Sequence, residues 1–267
     1  MVGGAPRAAP TDPRSLLQSM LRVERSLVGA DLGGADLRGL EIADLSLAGA
    51  NLAGADLTDA RLTRVDLSLA NLRGARLEGA VLTMVSGAGT VLAGARARRV
   101  KLEHVALVAA DLAGADLSRT MLKESTFEGA HLDGCDLRGS FLVHSNCARA
   151  SFRGADLDRL AAVGSSFTDA DFHGARNFLR TNEVIHELLR RALGPGADDF
   201  DAARTVAVIL LDRGRCYPQW KQFLEDNPVQ RDRALRVFAE YPESGCAEAL
   251  LSGAELPPDP AVAEPSE

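Results

Sequence analysis

Apolar residues recur along the middle of the chain on a five-residue clock. From Leu27, every fifth residue is Leu32, Leu37, Ile42, Leu47, Leu52, Leu57, Leu62, Leu67, Leu72, Leu77 and Leu82. The count meets Gly87, resumes at Leu92, meets Ala97, and runs from Leu102 to Leu142 with Phe127 its one aromatic. It closes on Cys147, Phe152, Leu157, Ala162, Phe167 and Phe172 without a slip of register. Two places before most centres stands a small or aliphatic residue such as Ala35, Ala55 or Ala115, and the residue between is often Asp or Asn. Neither a 3.6-residue helix nor a two-residue strand keeps a period of five on one face. A chain that turns a corner every five residues does. Glycine falls two places after the centre at Gly34, Gly54, Gly74, Gly94, Gly114, Gly134, Gly154 and Gly174. That spacing of twenty makes four sides to a coil, and a glycine at one fixed corner predicts a positive φ there. The pattern predicts a square β-solenoid with the centre and the preceding small residue inward and three positions outward, Ala113 and Ser118 among them. Coils about 4.8 Å apart make a rod roughly 36 Å long. At Gly87 and Ala97 the core lacks side-chain volume. Infilling by Val85, Val100 and Val105, with a local irregularity near residues 86–89, is the expected response.

The repeat A(D/N)Lxx, cleanest in ANLAGADLTDA (50–60) and ADLAGADLSRT (110–120), resembles the pentapeptide-repeat family over about residues 26–175. The resemblance implies a right-handed quadrilateral β-helix and hence a mainly β chain. Well-known members of the family imitate DNA and bind type II topoisomerases, some protecting them from inhibitors. DNA gyrase is therefore one partner that the resemblance suggests.

Both ends of such a rod expose strand edges and core, and both need covers. Residues 1–10 read as disordered and 11–25 as an N-terminal capping helix. There Thr11 or Asp12 stands before Pro13, and Leu16, Leu17, Met20 and Leu21 share one face. After Phe172 the clock fails, and residues 176–252 take helical spacing, read as a compact α-helical bundle. Its first helix is capped by Thr181 or Asn182 and turns Val184, Ile185 and Leu188 inward. Others run from about 201 to 212, from Pro218, and through Leu235, Val237 and Phe238 to Pro242. The chain's one tryptophan, Trp220, and both tyrosines, Tyr217 and Tyr241, fall here. Residues 253–267 are rich in Pro and Glu and read as a disordered tail.

Composition sharpens this picture. Hydrophobic residues make 46% of the 267 and aromatics only 4%, so leucine and alanine must build the rod's core. A net charge of −7 argues against direct nucleic-acid binding. No run approaches the ~18 apolar residues of a membrane span. The start lacks the apolar stretch of a signal peptide. Four cysteines without a CxxC pair suit a reduced, cytoplasmic protein. Cys135 and Cys147 take inward slots, and Cys216 has no activating base in view. His104 and His144 share an outward slot two coils apart, roughly 9.6 Å, too far for zinc ligands that sit about 2.0–2.1 Å from one ion. His131 and His173 are likewise two coils apart. With no phosphate loop, nucleophile elbow or HExxH, the reading has no catalytic, metal or cofactor-binding residue, and the chain is not an enzyme.

Charge along the rod carries more. Residues 26–65 sum to −3, 66–105 to +3, 106–145 to −3 and 146–175 to −1. The positive belt holds Arg76, Arg96, Arg98, Arg99 and Lys101, a docking patch for an acidic partner. On one side, successive coils turn Met121, then Phe141 and Val143, then Ala161 and Val163 outward, which marks a contact. The chain's own helical bundle, a second copy in a homodimer, or a foreign protein would cover it. Asp36 and Asp56, and again Asp116, Asp136 and Asp156, make acidic ladders. A 36 Å mimic of B-form DNA would nevertheless show about 20 negative charges, and the rod's net is −4. The sequence reads as a non-catalytic protein–protein interaction scaffold whose partner it does not name. The alternative is a DNA-mimicking modulator or protector of DNA gyrase.

Overall fold

The computed structural model describes residues 26–178, 181, 183–185, 187–188, 226 and 228–244. The helix expected at 11–25, those expected from 201 and from 218, Cys216, Trp220 and the tail at 253–267 lie outside the described residues.

One coil takes twenty residues. Its one regular side builds a seven-stranded sheet in sequence order: β1 (Glu41–Ala43), β2 (Arg61–Thr63), β3 (Val81–Thr83), β4 (Lys101–Glu103), β5 (Met121–Lys123), β6 (Phe141–Val143) and β7 (Ala161–Val163). Every pairing is parallel and offset by twenty, as in Ile42↔Leu62 and Leu142↔Ala162. The other three sides meet through single parallel bridges of the same offset, such as Ser46↔Asp66, Asn51↔Asn71 and Asp56↔Arg76. All centres from Leu27 to Phe172 are buried except Leu92, which is partly buried. The inward assignment read from the clock therefore holds.

The corner glycines take positive φ as expected, from 64° at Gly74 to 71° at Gly174, but they do not have it to themselves. Positive φ occurs at the corners of all four sides, including Asp59 (57°), Leu69 (60°), Met84 (55°) and His104 (54°), and is not confined to the glycine corner. Three corners close with a hydrogen bond from residue i+3 to i, as from Ala50 N–H to Leu47 O (3.0 Å), Ala55 to Leu52 (3.0 Å) and Ala60 to Leu57 (3.0 Å). The corner after the strands is a bend without that bond. On the later coils serines occupy the freed position. Val105, Ser125 and Ser145 donate their N–H groups to the hydroxyls of Ser125 (3.1 Å), Ser145 (3.4 Å) and Ser165 (3.0 Å) in the coil above. Burial of the leucine column offsets the cost of the left-handed corners, about 1–2 kcal/mol for each L-residue.

The coil at Gly87 and Ala97 is regular. Gly87 N–H donates to Ala106 O (2.7 Å), Thr90 N–H closes the turn to Gly87 O (3.2 Å), and Ser86 bridges Ala106. The irregularity expected near Ser86–Gly89 is absent. What remains is a cavity of about 40 Å³ on the rod axis, lined from all four sides by residues including Leu72, Leu92, Ala97, Leu102 and Leu107. Val85 and Val100 also line it, so they fill the gap only in part. Hydrogen bonds to the coils on both sides hold the backbone at strand spacing, so the wall cannot collapse inward.

The far end of the rod passes into an aromatic column. Phe152 and Phe172 stack at 5.2 Å between centroids, Phe167 packs across both, and Phe178 joins Phe172 (6.2 Å) to Tyr241 (5.9 Å). Residues 183–185 and 187–188 are helical, and α1 spans Pro228–Ala239 with proline at its first position. Val184, Ile185, Leu188 and Phe238 are buried in the same core as the rod's leucines. Thr181 does not place its hydroxyl as a helix cap: it donates to Leu160 O (3.2 Å) of the last coil. Two glutamates replace the coil that would come next. In the preceding coil His144 and Arg149 donate N–H to Val163 O and Thr168 O (2.8 Å each). Their counterparts Gly164 and Asp169 donate instead to the carboxylates of Glu183 and Glu187, the latter at 2.9 Å. Gly164 is the one glycine at its corner, with φ 63°, and a Cβ there would lie 2.5 Å from His144 Nδ1.

Candidate functional site

The residue before each centre on the side of Leu37, Leu57 and Leu77 forms one column. It reads Asp36, Asp56, Arg76, Arg96, Asp116, Asp136, Asp156 and Arg176, each bridged to the next at about 4.8 Å per step. At the Ala97 coil all three outward slots are arginines: Arg96, Arg98 and Arg99. Arg119 stands one coil above Arg99, and Lys101 opens β4 just past the corner. Arg76 shares its charge with Asp56 (3.8 Å) and Glu78 (3.9 Å), and Arg98 approaches Asp116 (3.7 Å). Among the described residues, Arg96, Arg99, Lys101 and Arg119 form no salt bridge. The structure thus brings all five members of the predicted belt together and adds Arg119. Arg119 stands twenty residues after Arg99 but within residues 106–145, whose net charge of −3 masks it.

The apolar set is also assembled. Met121 is the Cα partner of Phe141 and Phe141 of Ala161, while Val143 pairs with Val163. Met121, Phe141 and Val163 are 46%, 45% and 43% exposed, and Val143 is half-buried. Lys101 pairs with Met121 across β4 and β5. Belt and apolar set are therefore one surface, wrapped around a single corner.

A family match follows this geometry. Eight copies of the family described as pentapeptide repeats match residues 43–83, 70–112, 101–139 and 145–176. The chain belongs to the pentapeptide-repeat family. No curated protein matches it in sequence. Among solved structures, a trypsin-treated variant of QnrB1, a plasmid-mediated fluoroquinolone resistance protein, is 20% identical, with a TM-score of 0.39 over 56% of this chain and 76% of its own. HetL from the cyanobacterium Nostoc sp. strain PCC 7120, involved in heterocyst differentiation regulation, is 24% identical over 60% of this chain and 94% of its own, with a TM-score of 0.22. The pentapeptide-repeat protein alr5209 from Nostoc PCC 7120 is 30% identical over 38% of this chain and 78% of its own, with a TM-score of 0.24.

The acidic ladder of this pentapeptide-repeat rod is not a bare row of charge. Arg38 holds Asp36 (2.7 Å), Arg138 holds Asp136 (2.9 Å), Arg98 faces Asp116, and Asp156 lies between Arg176 (3.9 Å) and Asn177 (2.9 Å). The hydrogen bond from Arg138 keeps the Asp136 carboxyl below its ordinary range. Ser118, expected outward, is only 6% exposed, and its hydroxyl and N–H both turn onto Asp116 Oδ1 (2.6 and 3.0 Å).

Burial pushes the thiols of Cys135 and Cys147 up to about 12, and Cys135 donates to Leu112 O (2.9 Å). His104 is engaged by Glu124 (3.3 Å). Among the described residues no cluster of His, Cys, Asp and Glu could hold a metal ion, and no helix is long and apolar enough to cross a membrane.

Proposed function

We propose that this pentapeptide-repeat protein is a non-catalytic scaffold that binds another protein through the surface running from Arg96, Arg98 and Arg99 across Lys101 to Met121, Phe141 and Val163. One observation carries the reading: the pairing of Lys101 with Met121, which joins unpaired cations to exposed apolar side chains. Arginine, methionine and aromatics are the residues that protein interfaces concentrate. Such a surface fits a partner segment that is acidic and carries apolar anchors. The free, buried thiols of Cys135 and Cys147 suit a reducing cytoplasm. Capture from the native host tests the reading. A protein held by the full chain should be lost with both Arg96→Glu/Arg98→Glu/Arg99→Glu and Phe141→Glu. Retention by both variants would reject it, and a concentration-dependent dimer lost with Phe141→Glu would assign the apolar half to a second copy.

A DNA-mimicking modulator of a type II topoisomerase such as DNA gyrase is the second reading. The column Asp116–Asp136–Asp156 at strand spacing supports it. Its arginine partners, and Arg76 and Arg96 in the same column, weaken the resemblance to a phosphate row. Gyrase supercoiling measured with and without the protein decides between the two readings.

A further inference from the structure

The basic belt gives residues 66–105 a net charge of +3, and the chain carries its complement. After Arg236 there is no lysine or arginine, and residues 245–267 hold Glu248, Glu255, Asp259, Glu264 and Glu267, interspersed with Leu256 and Val262. That is an acidic segment with apolar anchors, the chemistry the surface selects. Its point of departure is also suitable. Glu243 O accepts the N–H of Asn177 (3.0 Å), and its carboxylate lies 3.8 Å from Arg176, the last member of the column that contains Arg96. The described chain therefore ends at Ser244 on the same side of the rod as the arginines. Arg96 lies four coils below Arg176, about 19 Å away. Eleven residues from Ser244 to Glu255 span up to roughly 36 Å.

We propose that the acidic C-terminal segment, residues 245–267, docks in cis on the Arg96–Arg98–Arg99 and Lys101–Met121 surface and competes with the partner for it. Glu255, Asp259 and Glu264 meet Arg96, Arg98 and Arg99, of which Arg96 and Arg99 form no salt bridge among the described residues, and Leu256 and Val262 meet Met121 and Phe141. The inference rests on the binding surface proposed above and adds its regulation: a partner must displace the chain's own tail. A tethered segment competes at an effective concentration in the millimolar range, so even weak contacts occupy the surface.

The chain has three lysines, Lys101, Lys123 and Lys221, which makes zero-length carbodiimide cross-linking site-specific. At low salt the full-length monomer should link Lys101 to Glu255, Asp259 or Glu264. The link should disappear in Arg96→Glu/Arg98→Glu/Arg99→Glu, which keeps Lys101. No such link, or a link indifferent to the arginines, overturns the proposal. So does a link that joins heavy to light chains in an isotopically mixed sample, which would place the tail on a second copy. A synthetic peptide of residues 245–267 gives the second readout. The full chain with Glu255→Gln, Asp259→Asn, Glu264→Gln and Glu267→Gln should bind it at least about tenfold more tightly than wild type, because the cis competitor is gone. Equal affinities refute cis docking while leaving the partner-binding surface intact. Failure of that surface shows separately, as partner capture indifferent to the arginine reversal.

Discussion

Lys101 and Met121 sit opposite each other as Cα partners in β4 and β5. This one register step places a cation with no salt bridge among the described residues against a side chain that is 46% exposed. It also joins two stretches that are separate in sequence, the arginines at 96–99 and the apolar positions at 121–163. The solenoid accounts for the junction. Residues twenty apart become neighbours, and residues two apart across a corner change sides.

Arg98→Ala should separate binding from stability. Its contact with Asp116 is long (3.7 Å) and its side chain is half exposed. Its loss should change unfolding free energy by less than about 0.5 kcal/mol. Partner association should slow and lose part of its salt dependence. Denaturant unfolding and stopped-flow binding measure the two effects.

The axial cavity can be filled. Ala97→Leu restores the leucine that neighbouring coils carry at Leu77 and Leu117. At about 24 cal/mol per Å³, removing a 40 Å³ void is worth about 1 kcal/mol. Thermal unfolding should shift upward by a few degrees. An unchanged or lower Tm would mean that the coil at 87–97 closes around Ala97 in solution.

The far cap should depend on pH. Burial pushes the Glu183 carboxyl up to about 7 from an ordinary 4.5. The folded chain therefore holds this proton where the unfolded chain has released it. The stabilisation is full below about 4.5, falls as pH rises towards about 7, and is level above that. The exchange rate of the Gly164 amide, corrected for intrinsic pH dependence, should rise across this window in wild type and stay flat in Glu183→Gln.

Register is testable by contrast. Leu112→Ala should cost about 2–5 kcal/mol as a buried leucine, and Ala113→Glu on the outside under about 0.5 kcal/mol. Ser118→Glu should cost distinctly more than Ala113→Glu, because it removes the hydroxyl on Asp116 and sets a second carboxylate beside it.

The rod was legible because its information is periodic. One apolar residue in five sets the inward face, and a glycine every twenty counts the sides. Local packing was less so. Ser118 occupies an outward slot yet is buried, whereas Thr58, with the same two bonds to Asp56, is only half-buried, and the repeat does not separate the two. The coil at Gly87 looked too empty to stay regular, but hydrogen bonds from both neighbouring coils hold it over a void. Nothing in the sequence singles out Glu183 and Glu187. Their role as acceptors for Gly164 and Asp169 depends on how the helix is laid across the last coil. The arginine belt was visible as charge, but its continuity with Met121 and Phe141 emerges only when residues are placed on the coil.

Hydrogen exchange of the full-length protein, alone and with its captured partner, tests the central claim most directly. Backbone amides at 96–101, 119–123 and 141–143 should gain protection together when the partner binds. Protection confined to the other sides of the rod or to α1, with these three stretches unchanged, would contradict the account.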